Sequence, residues 1–96
     1  MAAEVTDNPD RNRYEIREDG RLAGFSRYRD EDGVRVFMHT EIHSDFEGQG
    51  LGRVLAQEAL EDVRRQGRRV VAECPFIAAY IRDHPEVQDL LEGASG

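Results

Sequence analysis

Three groups of residues in this chain could do chemistry, and each stands at a distinctive place. The run Gly48-Gln49-Gly50-Leu51-Gly52 sets three glycines at alternate positions just ahead of an amphipathic stretch. Such glycines let the backbone turn tightly and leave amide N–H groups unobstructed at a helix start, which suits a phosphate. Amides from Gln49 to Arg53 would point at a pyrophosphate, the helix dipole would add partial positive charge, and the Arg53 side chain would supplement both. A plainer purpose competes: a glycine-rich turn also serves to end one strand and start a helix packed closely on a sheet. His39 closes a strand-like run just before this turn, and an imidazole titrates near neutrality, so it can take a proton as a base. The alternative is a histidine that only completes a hydrogen-bond network at a strand end. Cys74 directly precedes Pro75, which places it at the N-cap of a helix whose dipole favours a nucleophilic thiolate. An inert packing cysteine is the alternative there. His43, in a looser loop, and His84, before Pro85 at a helix end, read as structural or solvent-exposed.

Two familiar phosphate motifs can be tested on the same residues. A P-loop needs Gly-Lys-Ser/Thr at the helix start, and the chain offers Gly52-Arg53-Val54, which disfavours nucleotide hydrolysis. A dinucleotide fingerprint needs its third glycine one residue later and an acid at the end of the next strand, a place that Glu73 partly imitates. The strands upstream of the turn argue against that fold, because they read as antiparallel and little chain remains for a doubly wound parallel sheet.

The elements that must position these groups are legible in the alternation of residues. Tyr14 and Ile16 alternate with charged neighbours over Arg13–Glu18, and Asp19-Gly20 then marks a hairpin. The return strand is predicted from Leu22 to Tyr28, and the acidic turn Asp30-Glu31-Asp32-Gly33 hands the chain to a strand from Val34 to Thr40, making a three-stranded meander. After the glycine turn, Leu51, Val54, Leu55, Ala59, Leu60 and Val63 recur at helical spacing, with Gly67 as the C-cap. A β-branched strand follows from Arg68 to Glu73, and a helical crossover of this length predicts that it pairs in parallel with Val34–Thr40. Pro75 opens a second helix carrying Phe76, Ile77, Ala79, Tyr80 and Ile81, which stops near His84-Pro85, and Val87, Leu90 and Leu91 pack back. Residues 1–10 show no sustained period and read as a loose terminus, as do residues 93–96, leaving residues 11–92 as the folded domain. The expected class is α+β: an antiparallel meander joined through a helix to a parallel strand pair, with helices packed on the sheet.

With 96 residues there is room for one compact domain with a modest core, so a bound ligand or a second subunit would add stability, and a monomer or a homodimer is expected. The formal net charge of −7, with basic residues interspersed among acids, disfavours nucleic acid as a partner. Local basic groups (Arg53, Arg64, Arg65, Arg68, Arg69) can still complement one anionic ligand. No long apolar run or signal-like segment is present, so no membrane partner and a cytoplasmic location are expected. One cysteine and no ligand-spaced His/Cys cluster predict neither a disulfide nor a bound metal.

The turn Glu47-Gly48-Gln49-Gly50-Leu51-Gly52 resembles the central motif of the GNAT superfamily of acyl-coenzyme A dependent transferases, Gln/Arg-x-x-Gly-x-Gly/Ala at the start of a helix. The chain is especially similar to the small stand-alone branch of that superfamily, through His39-Thr40-Glu41, Phe46–Gly52, Cys74-Pro75-Phe76, Tyr80-Ile81 and His84-Pro85. The resemblance covers roughly Arg13 to Leu91. It implies a truncated GNAT fold whose parallel strands splay to admit a pantetheine arm. Acetyl-coenzyme A would be the co-substrate, held by Thr40, Glu41, Gly48, Gln49, Gly50, Leu51, Gly52, Arg53, Cys74 and Tyr80. His39 and Cys74 would face the thioester, which leaves open direct attack assisted by His39 or a covalent relay through Cys74. In many GNAT enzymes a tyrosine on the equivalent helix protonates the leaving thiolate, and Tyr80 matches it loosely; a core residue with its hydroxyl at the surface is the simpler account. An adenosine 3′-phosphate contact by Arg64-Arg65 or Arg68-Arg69 is a weaker option than plain helix-end charges. Glu47 departs from the motif's usual Gln or Arg, which removes that side chain as a phosphate ligand and leaves the backbone amides. The resemblance implies N-acetyl transfer to an amine, either a small molecule or an open acceptor such as a protein lysine or amino terminus. A non-catalytic acyl-coenzyme A sensor or protein-interaction module is the alternative.

Overall fold

The computed structural model describes residues 2–94. Five strands form one sheet in the order β1-β2-β3-β4-β5: β1 Ala3–Asn8, β2 Arg13–Glu18, β3 Arg21–Glu31, β4 Val34–Ile42 and β5 Arg69–Ala72. The first four are antiparallel neighbours, and β5 pairs in parallel with β4 from Val34↔Arg69 to Phe37↔Ala72. Helix α1 (Leu51–Arg65) makes the crossover between β4 and β5, and α2 (Pro75–Asp83) leads into a 3₁₀ segment, Pro85–Leu90. The α+β class, the meander and the parallel pair are therefore as the pattern predicts.

Both hairpins turn on two residues, Asp19-Gly20 and Asp32-Gly33, with all four φ angles between 49° and 82°. These positive values are the mirror-image turn geometry that matches the twist of antiparallel strands, and aspartate and glycine tolerate it. The second turn is shorter than the four-residue stretch Asp30-Glu31-Asp32-Gly33 suggested, so β3 continues through Glu31.

The N-terminus corrects the expectation of a loose segment over residues 1–10. Ala3–Asn8 is a strand in register with β2, from Ala3↔Glu18 to Asn8↔Arg13, and Asp19 N–H bonds to the carbonyl of Ala2 (3.0 Å). Its one large apolar residue, Val5, packs against the core, while Asp7 accepts a hydrogen bond from the Tyr28 hydroxyl (2.6 Å). An edge strand tied down by backbone ladder bonds and a carboxylate need show no apolar alternation. Residues 1, 95 and 96 of the two expected loose ends lie outside the described residues. Ala94 is held, its carbonyl accepting from Arg69 Nη2 (3.1 Å).

A single apolar core lies between the sheet and the two helices. Helix α1 contributes Leu51, Leu55, Ala56, Ala59, Leu60 and Val63, whereas Val54, assigned to that face by spacing, is exposed. The 100° step per residue puts Val54 on the flank of the stripe and Ala56 within it. Helix α2 adds Ile77 and Ile81, and Val87 and Leu90 close the end.

Candidate functional site

The site begins where β5 leaves β4. The Phe37 carbonyl accepts the N–H of both Glu73 (2.9 Å) and Cys74 (3.0 Å), and there the parallel pairing stops. Strand β4 runs on to Ile42 beside β3, with a register shift opposite Arg27/Tyr28 that makes Met38 an extra residue. A bulge there bends the strand and raises its twist, so β4 beyond Phe37 faces a gap rather than a neighbouring strand.

The glycine turn stands at the end of this gap. Gly48 (φ 80°) and Gly50 (φ 77°) occupy the left-handed region, and a Cβ on either would meet open space, so backbone conformation and not crowding calls for glycine. Gly52 is glycine for a different reason: a Cβ there would lie 2.9 Å from the Phe76 ring. Gly50 caps α1 without any side-chain hydrogen bond, and no acidic residue occupies the first turn. The opening amides of α1 therefore face outward with no protein acceptor, the positive end of a 15-residue helix. They border a cleft of about 340 Å³ lined by Phe46, Gly48, Gly50, Gly52, Arg53 and Phe76, among others. Glu47 and Gln49 are exposed beside it.

Cys74 is the N-cap of α2, as the Cys-Pro pair predicts, and is 2% exposed. Its thiol does not cap the helix but donates to Thr40 Oγ1 (3.3 Å), which is also 2.9 Å from Ser26 Oγ. These three side chains join β3, β4 and the start of α2 beneath the mouth of the gap. Ser26 carries no sequence signal: it is one small polar residue in a strand, and only the register Ser26↔Thr40 makes it part of the group.

His39 is exposed on the opposite face. Its Nε2 lies 3.2 Å from Glu41 Oε1, and its ring leans on Phe25 (centroids 6.0 Å apart), which in turn lies under the Arg13 guanidinium (4.8 Å). Consecutive strand residues point to opposite sides. His39 and Glu41 therefore share the helix-free face while Thr40 and Cys74 share the other, and β4 separates the two residues that sequence reasoning grouped as catalytic.

Tyr80 lies away from both, on the groove between α1 and α2. Its ring stacks on His84 (3.8 Å, 11°), and His84 Nδ1 donates to the Tyr80 carbonyl (2.7 Å). Burial, then the carboxylates of Glu86 and Glu61, push its phenol upward, with Arg53 opposing them. His43 holds the strand end through its backbone N–H to Ala23 (2.7 Å). The four arginines after Arg53 serve the far end of α1: Arg64 grips Asp89 (2.8 Å), Arg65 reaches Asp62, Arg68 reaches Asp30, and Arg69 donates to Leu91 and Ala94 carbonyls. A helix of this length sets that end roughly 20 Å from the glycine turn.

A mixed five-stranded sheet whose one parallel strand is reached through a helix with an uncapped start defines the fold as α+β. Residues 13–90 match the model of the GCN5-related N-acetyltransferase family, and the chain belongs to that family. Its fold is similar to the NMR structure of a GCN5-like protein from Staphylococcus aureus, with TM-score 0.71, 21% identity, and coverage of 96% of this chain and 90% of that one. A GNAT-family protein from Desulfovibrio desulfuricans matches with TM-score 0.53 and 28% identity over 62% of this chain and 40% of that one. No curated protein matches the chain. No helix among the described residues is long and apolar enough to cross a membrane, and no cluster among them has the composition of a metal site.

Proposed function

We propose that this protein binds acetyl-coenzyme A and transfers the acetyl group to an amine. The observation that carries the reading is the uncapped amide turn, Gly48 to Arg53, opening onto the gap where β5 departs from β4. The amides and dipole of α1 suit the pyrophosphate, and the unpaired edge of β4 beyond Phe37 suits an amide-bearing pantetheine arm. Gln49, Leu51 and Gly52 act through their backbone.

The placement of His39 and Cys74 supports a division of labour. An acceptor amine approaching the helix-free face would lose its proton to His39, with Glu41 stabilising the imidazolium, as its nitrogen bonds to the thioester carbonyl and the coenzyme A thiolate departs. On the other face Cys74, positioned by Thr40, is available for a relay in which its sulfur takes the acetyl group, releases coenzyme A and then yields the group to the amine. Half-exposed His39 and Glu41 favour an open acceptor, such as a lysine or amino terminus of another protein, in the cytoplasm. A non-catalytic acyl-coenzyme A sensor is the second reading, favoured by the separation of His39 from Cys74 across β4.

Calorimetric titration with acetyl-coenzyme A tests the reading. Saturable binding by the wild type, lost at least a hundredfold in Gly50→Trp while the circular dichroism spectrum is kept, is the expected result. Absence of wild-type binding overturns it. Binding without turnover on an amine panel, unchanged by His39→Ala or Cys74→Ala, favours the sensor.

A further inference from the structure

The face of the sheet that carries no helix holds charges that the fold does not answer. Strand register sets its residues in two rows running across the strands. In one row Arg13 lies opposite Arg27, which lies opposite His39; in the next, Glu15 lies opposite Phe25, which lies opposite Glu41. Cross-strand partners share a face, and Ser26, Thr40 and Cys74 occupy the other one.

The charges in these rows are matched unequally. Buried Glu15 takes hydrogen bonds from both Arg13 (2.8 Å) and Arg17 (2.9 Å), so two arginines share one carboxylate and the trio keeps one positive charge. Arg29, further along β3, pairs with Glu31 (3.0 Å) and Glu73 (3.2 Å). Arg27 is exposed and enters no ion pair or side-chain hydrogen bond found among the described residues. Its cross-strand neighbours are an arginine and a histidine, not a carboxylate. Like charges directly opposite one another weaken a sheet, and a chain of net charge −7 has no shortage of acids to set between them. Stability of the fold therefore does not account for the Arg13–Arg27 pair, whereas an anion laid across it would.

The other end of the strip has the opposite sign, because Glu41 stands beside His39 (3.2 Å) on β4. Between the two ends Phe25 is half-buried, with the Arg13 guanidinium 4.8 Å and the His39 ring 6.0 Å from its own ring, and gives the strip an apolar floor. Neighbouring strands are about 4.8 Å apart, so the cationic and anionic ends stand roughly 5 to 10 Å from each other. Side chains two or three positions apart in an extended polypeptide span the same distance.

We infer that the helix-free face selects the acceptor by charge: it takes a polypeptide whose acceptor lysine is flanked by acidic residues, with Glu41 and His39 receiving the amine and Arg27 pairing with a neighbouring carboxylate. This rests on the N-acetyl transfer reading and deepens it by naming the acceptor class. The lysine methylenes lie along Phe25, as long charged side chains do on apolar surface.

The test uses short peptides of equal length with blocked termini and one central lysine, flanked by glutamate, alanine or arginine. Binding is read by fluorescence anisotropy and acetylation by coenzyme A release. Wild type is expected to prefer the glutamate-flanked peptide to the alanine-flanked one about fivefold in both readouts, the upper end for a solvent-exposed ion pair, with the arginine-flanked peptide last. Added salt shrinks the preference. Arg27→Ala abolishes the difference between the first two peptides, and Arg27→Glu reverses the order, a gain for the arginine-flanked peptide that misfolding cannot produce. Arg11→Ala, an exposed charge before β2, keeps the wild-type order. Equal turnover of all three peptides by the wild type overturns the charge selection and leaves N-acetyl transfer standing. A preference that Arg27→Glu does not change also overturns it. Charge-ordered binding that Arg27→Glu reverses, with no acetylation of any peptide, upholds the acceptor surface and removes the transfer reading. Neither binding nor acetylation of any peptide overturns the inference, while the acetyl-coenzyme A titration decides the donor reading separately.

Discussion

The two ends of helix α1 contrast sharply in how they treat their polar groups. At the C-terminal end, Asp62 accepts the Tyr14 hydroxyl (2.7 Å), and Tyr14 in turn accepts from Arg35 Nη1 (2.7 Å). Arg35, 3% exposed, lies over the Tyr28 ring (3.9 Å) and holds Asp30 through two hydrogen bonds of 2.8 and 2.9 Å. Burial raises the Tyr14 and Tyr28 phenols, helped by their bonds to Asp62 and Asp7, so both stay neutral donors throughout the working pH range. That network links β1, β2, β3, β4 and α1, and its charges are answered from within. At the N-terminal end the amides are uncapped, Arg53 has no partner among the described residues, and Phe76 and Val54 face water. A small domain has little stability to spare, so polar groups answered internally serve the fold, and groups left unanswered around a cleft point to a ligand.

Substitutions at the two ends should therefore separate stability from binding. The largest effect is expected at Arg35→Ala, which leaves Asp30 and two phenols facing an unfilled site: a loss of about 3 kcal/mol in denaturant unfolding, with acetyl-coenzyme A affinity of the folded fraction kept. Equal damage to both quantities would break the contrast. At the other end, the Arg53→Ala titration should show the reverse, with affinity lost and melting temperature kept, whereas Gly50→Trp should lose affinity together with some melting temperature, because its φ of 77° strains any side chain.

A smaller effect tests the sheet. Burial pushes the Glu15 carboxyl up, but hydrogen bonds from Arg17, Arg13 and Asn8 outweigh it and hold the group down at about 2, against an ordinary 4.5. A carboxyl lowered by folding contributes stability that is complete above the unfolded value and is lost as pH falls toward the folded one. The melting-temperature gap between wild type and Glu15→Gln should thus be full above about pH 4.5 and close progressively down to pH 2. The smallest effect is expected at Arg64→Ala: its exposed pair with Asp89 is screened by solvent, so melting temperature and affinity should both stay within error of wild type.

Much of this architecture was legible because it is encoded locally. Alternation over Arg13–Glu18, the Asp-Gly turns, the apolar stripe from Leu51 to Val63 and Pro75 at a helix start each state their element within a few residues. The glycine turn was legible for the same reason, since positive φ and open amides follow from residue type. Strand β1 was not, because Glu4, Thr6, Asp7 and Asn8 carry no apolar rhythm and are held by ladder bonds to a strand that follows them. Val54 and Ala56 exchanged places because spacing defines a stripe but not its edges.

By itself the sequence determined the order of elements from β2 to α2, the crossover through α1 and the glycine turn at the start of that helix. Tertiary structure decided which of them meet. Register brought Ser26, Thr40 and Cys74 together, and strand alternation turned His39 away from them. Packing of α2 beside α1 brought Phe76, Tyr80 and His84 up to Arg53. Those relations join residues as far apart as 48 positions, as in the Tyr14–Asp62 bond. The geometry between such distant residues is set by the packed sheet and helices, and no local pattern carries it.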